Sequence, residues 1–108
     1  MAVVIWNDEA SVQLEEHLLY AREEFGSATV RKWVKQLNYI VDSLQKYPTS
    51  YTPVRELRDK DVLYRGCTIM KRFKLIYYYD EPIDTVVIEQ IWDMRSNPAR
   101  LVELYKDK

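Results

Sequence analysis

Two stretches of helix-period hydrophobicity meet at one glycine, and this junction restricts the fold more than any other feature of the chain. Ahead of Gly26, the residues Ala10, Leu14, Leu18, Ala21 and Phe25 recur at helical spacing. Beyond it, Val30, Trp33, Val34, Leu37, Ile40, Val41 and Leu44 form an apolar stripe, with Arg31, Lys32, Lys35, Gln36 and Asp42 lying off it. Asn7 or Asp8 supplies a side-chain oxygen for the free amides of the first turn, and Asp8 and Glu9 suit the positive end of that helix. Gly26 marks its stop, and Ser27 caps a second helix that runs to about Lys46, where Tyr47-Pro48 breaks it. Amphipathic helices joined by only two or three residues must fold back on each other as an antiparallel hairpin.

The rest of the chain reads as strands. Residues 2–6, AVVIW, form a short β-branched and aromatic run ended by Asn7-Asp8. Residues 47–61 hold Pro48, Pro53 and a charge-dense tail, and read as a long loop with one turn of structure around Val54–Leu57. Leu63–Met70 and Phe73–Tyr79 are predicted strands about a tight turn at Lys71-Arg72. Phe73, Leu75, Tyr77 and Tyr79 share one face, with Lys74, Ile76 and Tyr78 on the other. After a turn through Asp80-Glu81-Pro82 and Asp84, Thr85–Trp92 is apolar on both faces, as a central strand would be. Asn97 then caps a short last helix with Pro98 at its first position, docked by Leu101, Leu104 and Tyr105. The order β-α-α-β-β-β-α predicts an α+β fold, with an antiparallel sheet packed against the N-terminal helical hairpin. One sheet face lies under that hairpin. The opposite face, or the concave edge beside the last helix, is left for function.

A chain of 108 residues has the length of a single domain, residues 1–108, with one core. One cysteine, Cys67, excludes an internal disulfide framework and fits a reducing cytoplasm, the expected location. The start, MAVVIWNDEA, has neither a basic stretch nor a long apolar run, so no signal peptide is expected. No apolar stretch approaches the ~20 residues of a membrane span, and no membrane partner is expected. The net charge of −1 gives no nucleic-acid signal, but its distribution is uneven. Asp8 to Glu24 carries six acids and one base, whereas Arg55 to Lys74 carries seven bases and three acids. A chain polarised in this way can offer a basic face to an anionic partner while staying near neutral overall.

Local words then add to the pattern. Trp6 followed by Ala10, Leu14 and the helix Glu15–Phe25 opens the chain; Gly26-Ser27-Ala28 and a helix ending in Leu44-Gln45-Lys46-Tyr47-Pro48 follow. Phe73-Lys74-Leu75-Ile76-Tyr77, the run Ile88–Arg95 (IEQIWDMR) and Asn97-Pro98 with Leu101 complete the series. Taken in order, these words resemble the RelE/ParE toxin superfamily over nearly the whole chain. The resemblance implies the toxin of a bacterial type II toxin–antitoxin pair, neutralised by a cognate antitoxin that wraps it. It also implies one of two activities. ParE-type members inhibit DNA gyrase, and RelE-type members cleave messenger RNA on the ribosome. A homodimer or a toxin–antitoxin hetero-oligomer is the expected assembly.

The residues test the two activities differently. Metal-free RNA cleavage needs cations for the phosphate and a group that moves a proton. By resemblance to the nucleases, Arg65 falls near one hairpin cation and Cys67 near the other, where a charge is lost. Lys74 replaces an arginine, keeping charge without the bidentate fork, and Arg95 matches the arginine that ends the last strand. The aromatic catalytic slot, six residues after Arg95, is Leu101, with Tyr105 one turn later. Arg65, Lys74 and Arg95 are thus the expected phosphate or target contacts, and Arg72, Tyr78 and Tyr105 the expected binding contacts. The alternative for Lys74 and Arg95 is pairing with surface acids such as Asp93 or Glu89. The incomplete set favours a ParE-like binder over a RelE-like nuclease, with an inactive binding module as the third reading. No cofactor or metal is called for. His17, the only histidine, is expected to be solvated on the polar side of its helix, and Cys67 to be a buried strand cysteine. Tyr78, opposite Tyr77 and Tyr79, is placed in the core or stacked on a partner.

Overall fold

A computed structural model of the chain describes residues 1–107. Its elements run β1 (Val3–Trp6), α1 (Asp8–Phe25), α2 (Ser27–Lys46), β2 (Tyr64–Ile69), β3 (Phe73–Asp80), β4 (Thr85–Asp93) and α3 (Pro98–Leu104), with 3-10 turns at Arg55–Leu57 and Glu81–Ile83. Asn7 caps α1, its side chain accepting from the Ala10 amide at 2.8 Å. Gly26 separates the two long helices at φ 88°, a conformation that favours glycine. Asn97 caps α3 with Pro98 in its first turn, its side chain accepting from the Ala99 amide.

The sheet has four strands in the order β1-β4-β3-β2. Its three later strands are antiparallel, whereas β1 pairs with β4 in parallel, so the sheet is mixed. The α1–α2 hairpin carries the chain from β1 at one edge of the sheet to β2 at the other, and β3 and β4 then bring it back beside β1. Parallel pairing across so long a connection is what such a crossover permits. The outer edge of β2 is covered by the loop before it, through Val54 N to Tyr64 O at 2.8 Å and Gly66 N to Thr52 O at 3.0 Å. Covering it removes an edge that would otherwise offer free backbone groups.

The main core lies between the helical hairpin and one sheet face. It gathers Leu37, Ile40 and Leu44 of α2, Ala10 of α1, and Cys67, Ile69, Phe73, Leu75, Tyr77, Val86, Ile88 and Ile91 of the strands. The other face carries a smaller core: Val54, Leu57, Tyr64, Ile76, Leu101 and Tyr105, flanked by Tyr78 and Trp92. Leu101 and Tyr105 therefore dock the last helix, whereas Leu104 is exposed. Between the two faces a bulge interrupts the ladder. Ile76 pairs with Gln90 but Tyr77 pairs with Ile88, leaving one extra residue in β4. The offset keeps both Ile88 and Ile91 in the main core although they stand an odd number of residues apart. It also buries Gln90, whose carbonyl oxygen accepts from Gln13 Nε2 at 2.7 Å, while Gln13 Oε1 accepts from the Ile91 amide at 2.7 Å.

Candidate functional site

The concave side of the sheet, away from the hairpin, is only partly filled. α3 and the turn Arg55–Leu57 roof the β2–β3 half, and beside them a cleft of about 150 Å³ opens between Glu56, Lys74, Trp92, Met94, Ser96, Pro98 and Leu101. Strand alternation and register set its floor. Lys74 stands opposite Thr68 on β2 and Trp92 on β4, so ammonium and indole share one face. The Lys74 stem passes over Gly66: a Cβ there would lie 3.0 Å from Lys74 Cγ and Cδ and 3.1 Å from Val54 Cγ2. The missing side chain thus makes room for the lysine. Glu56 reaches in from the 3-10 turn with its Oε2 buried, and it also borders a wider depression of about 610 Å³ beside Arg55, Arg58, Asp59 and Val102.

Deeper under the roof, three phenols surround the Glu89 carboxylate. Tyr64 packs edge-on against Tyr105 at 4.9 Å and Tyr78 at 6.0 Å. Burial, followed by the Glu89 charge, pushes the Tyr64 pKa up to about 12. Burial and the same carboxylate also raise Tyr78 and Tyr105. All three remain protonated at neutral pH; Tyr64 and Tyr105 hydrogen-bond the carboxylate, and Tyr78 packs against Tyr64.

The cations singled out from the sequence do not converge. Arg65 shares the hairpin face with Cys67 and Ile69, and its Nη1 donates to the Tyr51 carbonyl at 2.8 Å. Lys74 is on the opposite face. Arg95 is held by Asp93, with Nη2 to Oδ2 at 2.8 Å and Nε to Oδ1 at 3.1 Å. Those bonds hold the Asp93 carboxyl below its usual range. Pairing with a neighbouring acid, the alternative weighed for Arg95, is therefore what the structure has. Arg72 places its guanidinium 5.4 Å from the Phe25 ring centre, on the hairpin side.

Two expectations are corrected. Tyr105 is fully buried in the smaller core, so its ring supports the roof and offers no surface to a partner. His17 is half-buried: its ring stacks on Phe73 at 4.2 Å and its Nε2 lies 3.3 Å from the Ile91 carbonyl. The reason is that position 17 follows Gln13 by one turn of α1, on the flank that meets β4. Cys67 is buried as expected, and burial pushes its thiol up to about 12. Tyr78 is half-buried against Tyr64. Glu56 and Met94 were not singled out from the sequence as site residues; only the packing of the loop and the end of β4 beside α3 brings them to the cleft.

Among the described residues no helix is long and apolar enough to cross a membrane, and no three His, Cys, Asp or Glu side chains gather as a metal site. No protein-family model and no curated protein matches the sequence. Solved structures do match in fold. A chain of the chromosomal ParDE toxin–antitoxin system from P. aeruginosa superposes with a TM-score of 0.67 at 16% identity, covering 86% of this chain and 96% of that one. A metal-bound toxin from Helicobacter pylori superposes with a TM-score of 0.61 at 14% identity, covering 88% of this chain and 97% of that one. The chain has a RelE/ParE-like α+β fold.

Proposed function

We propose that this protein is the toxin of a bacterial type II toxin–antitoxin pair, ParE-like in action. In this reading it arrests growth in the cytoplasm by binding a target such as DNA gyrase, and a cognate antitoxin neutralises it. The fold likeness supports the toxin half of the reading. The observation that carries the choice between activities is the dispersal of the cations. Arg65 and Lys74 lie on opposite faces of the sheet, Arg95 is engaged by Asp93, and the catalytic aromatic slot holds the buried Leu101. A nuclease must hold several cations and a proton-transfer group around one phosphate. A binder needs only a shaped surface with a few anchors. The cleft with Lys74 and Trp92, rimmed by Glu56 and Met94, is such a surface, and half-buried Tyr78 lies near it on the same face.

Induced expression in a bacterial host tests the reading. Growth arrest with a DNA-damage response, relieved by co-expressing the antitoxin, is the expected result. Rapid translation loss with cut transcripts would put the ribonuclease in its place. Full growth with the antitoxin still bound would leave an inactive binding module.

A further inference from the structure

On the hairpin side, away from Lys74, a second cleft of about 300 Å³ opens between α2 and the β2–β3 turn, lined by Lys32, Trp33, Gln36, Met70 and Lys71. We propose that this cleft binds single-stranded nucleic acid, taking one base against the Trp33 indole and the flanking phosphates on Lys32, Lys71 and the neighbouring Arg72.

Four observations support it. The cleft brings an aromatic ring and two lysines together, the combination by which strands are held without sequence readout. Its cations are unneutralised: among the described residues the ion pair is Arg95–Asp93, and neither Lys32, Lys71 nor Arg72 belongs to it. The nearest acids of α1's end, Glu23 and Glu24, do not line the cleft. The wall is also fixed. Met70 and Lys71 both hold positive φ, 54° and 61°, and Gln36 Oε1 accepts from the Met70 amide at 2.6 Å. Non-glycine residues in that region persist where surrounding contacts over-determine them. With Oε1 so engaged, the Gln36 amide nitrogen is the end left to donate to a base edge.

A peptide with acidic side chains would satisfy the lysines but would leave the indole beside them without a planar partner, which is why a nucleotide strand is preferred. The proposal does not depend on the identity of the toxin's target, since it is read by direct binding and not by growth.

The test is fluorescence anisotropy of the purified chain with labelled oligouridylate and oligothymidylate across a salt series. Binding of either at low salt, weakening as salt rises, is expected. Lys32→Glu and Lys71→Glu should each weaken it by about tenfold, and Lys32→Gln and Lys71→Gln should each lower the log–log salt slope by ~0.7, the loss of one phosphate contact. Lys106→Glu should change neither affinity nor slope. Circular dichroism melts confirm that each variant is folded. Absence of binding by the parent chain, binding unchanged in both lysine variants, or equal competition by polyglutamate would each overturn the proposal.

Discussion

Lys74 crosses the sheet over Gly66, its Cγ and Cδ each 3.0 Å from where a Cβ on that glycine would sit. The two are diagonal neighbours on β3 and β2, and the contact fixes the course of a lysine that lines the concave cleft. Gly66→Ala is therefore a probe of lysine position. Gly66 has no left-handed φ, so alanine fits the backbone, and the flexible stem of Lys74 gives way. Stability should change by no more than ~1–2 kcal/mol, a small overpacking cost. Toxicity on induction should fall several-fold, matching Lys74→Ala, if this lysine touches the target. A displaced lysine with full toxicity would remove it from the contact surface.

Arg95 offers the opposite case. Its guanidinium is exposed and spent on Asp93, so Arg95→Ala should leave the melting curve nearly unchanged, as the loss of an exposed pair does. The ParE-like reading expects toxicity within a few-fold of the parent. A collapse of toxicity with an unchanged melting curve would instead favour the ribonuclease, for which this arginine would be needed at the phosphate.

Gln13 and Gln90 tie α1 to the bulge in β4. Gln13 satisfies two groups at once, the side chain of fully buried Gln90 and the backbone amide of Ile91. Gln13→Leu leaves both without that partner and should cost ~1–3 kcal/mol in urea denaturation. Gln13→Glu keeps an acceptor for the amide but replaces a donor toward Gln90 with a carboxylate, and should also destabilise. A neutral effect for Leu would mean that α1 shifts to cover the gap.

Which parts were legible follows from where the forces act. Helix boundaries were legible because caps and stops are local: Asn7, Gly26, Pro48 and Pro98 act within a turn of their own positions. The parallel pairing of β1 was not, because β1 is separated from β4 by the whole hairpin and its residues carry no sign of strand direction. The bulge was hidden for a related reason. Thr85–Trp92 is apolar on both faces, so its pattern marks no break, and only the pairing with β3 shows where the extra residue falls. His17 looked polar in a helix whose sheet-facing flank is itself partly polar, holding Gln13 beside Leu14 and Leu18. Arg65 and Lys74 could be placed on strands but not on a face in common, since they belong to different strands whose relative register is a tertiary property.

High pH should weaken the fold through groups kept neutral inside it. Cys67 and Tyr77, in the main core, and Tyr64, in the smaller one, are each pushed up to about 12 by burial. In the unfolded chain a thiol ionises near ~8.5 and a phenol near ~10. A raised folded pKa means that stability is fully present below the unfolded value and is lost as pH rises towards the folded one. Urea midpoints should therefore hold up to about pH 8, then fall, and fall more steeply above about pH 10 as the two tyrosines join. Cys67→Ala should flatten the first part of that decline and leave the second. Midpoints constant across the range would mean that these side chains meet solvent.

Leu101 decides whether the concave cleft exists at all. It is one of two buried residues by which α3 is seated on the sheet, Tyr105 being the other, and it also lines the cleft. Leu101→Ala removes most of a buried side chain and should cost ~2–5 kcal/mol. The loss falls on a helix of seven residues, which is too short to persist once undocked. Amide exchange should then quicken first in residues of α3 and the turn Arg55–Leu57, while α1, α2 and the β3–β4 pair stay protected. Toxicity should fall with α3's protection. Leu101→Met, of similar volume, should restore both, which separates loss of the cleft wall from loss of a specific leucine contact.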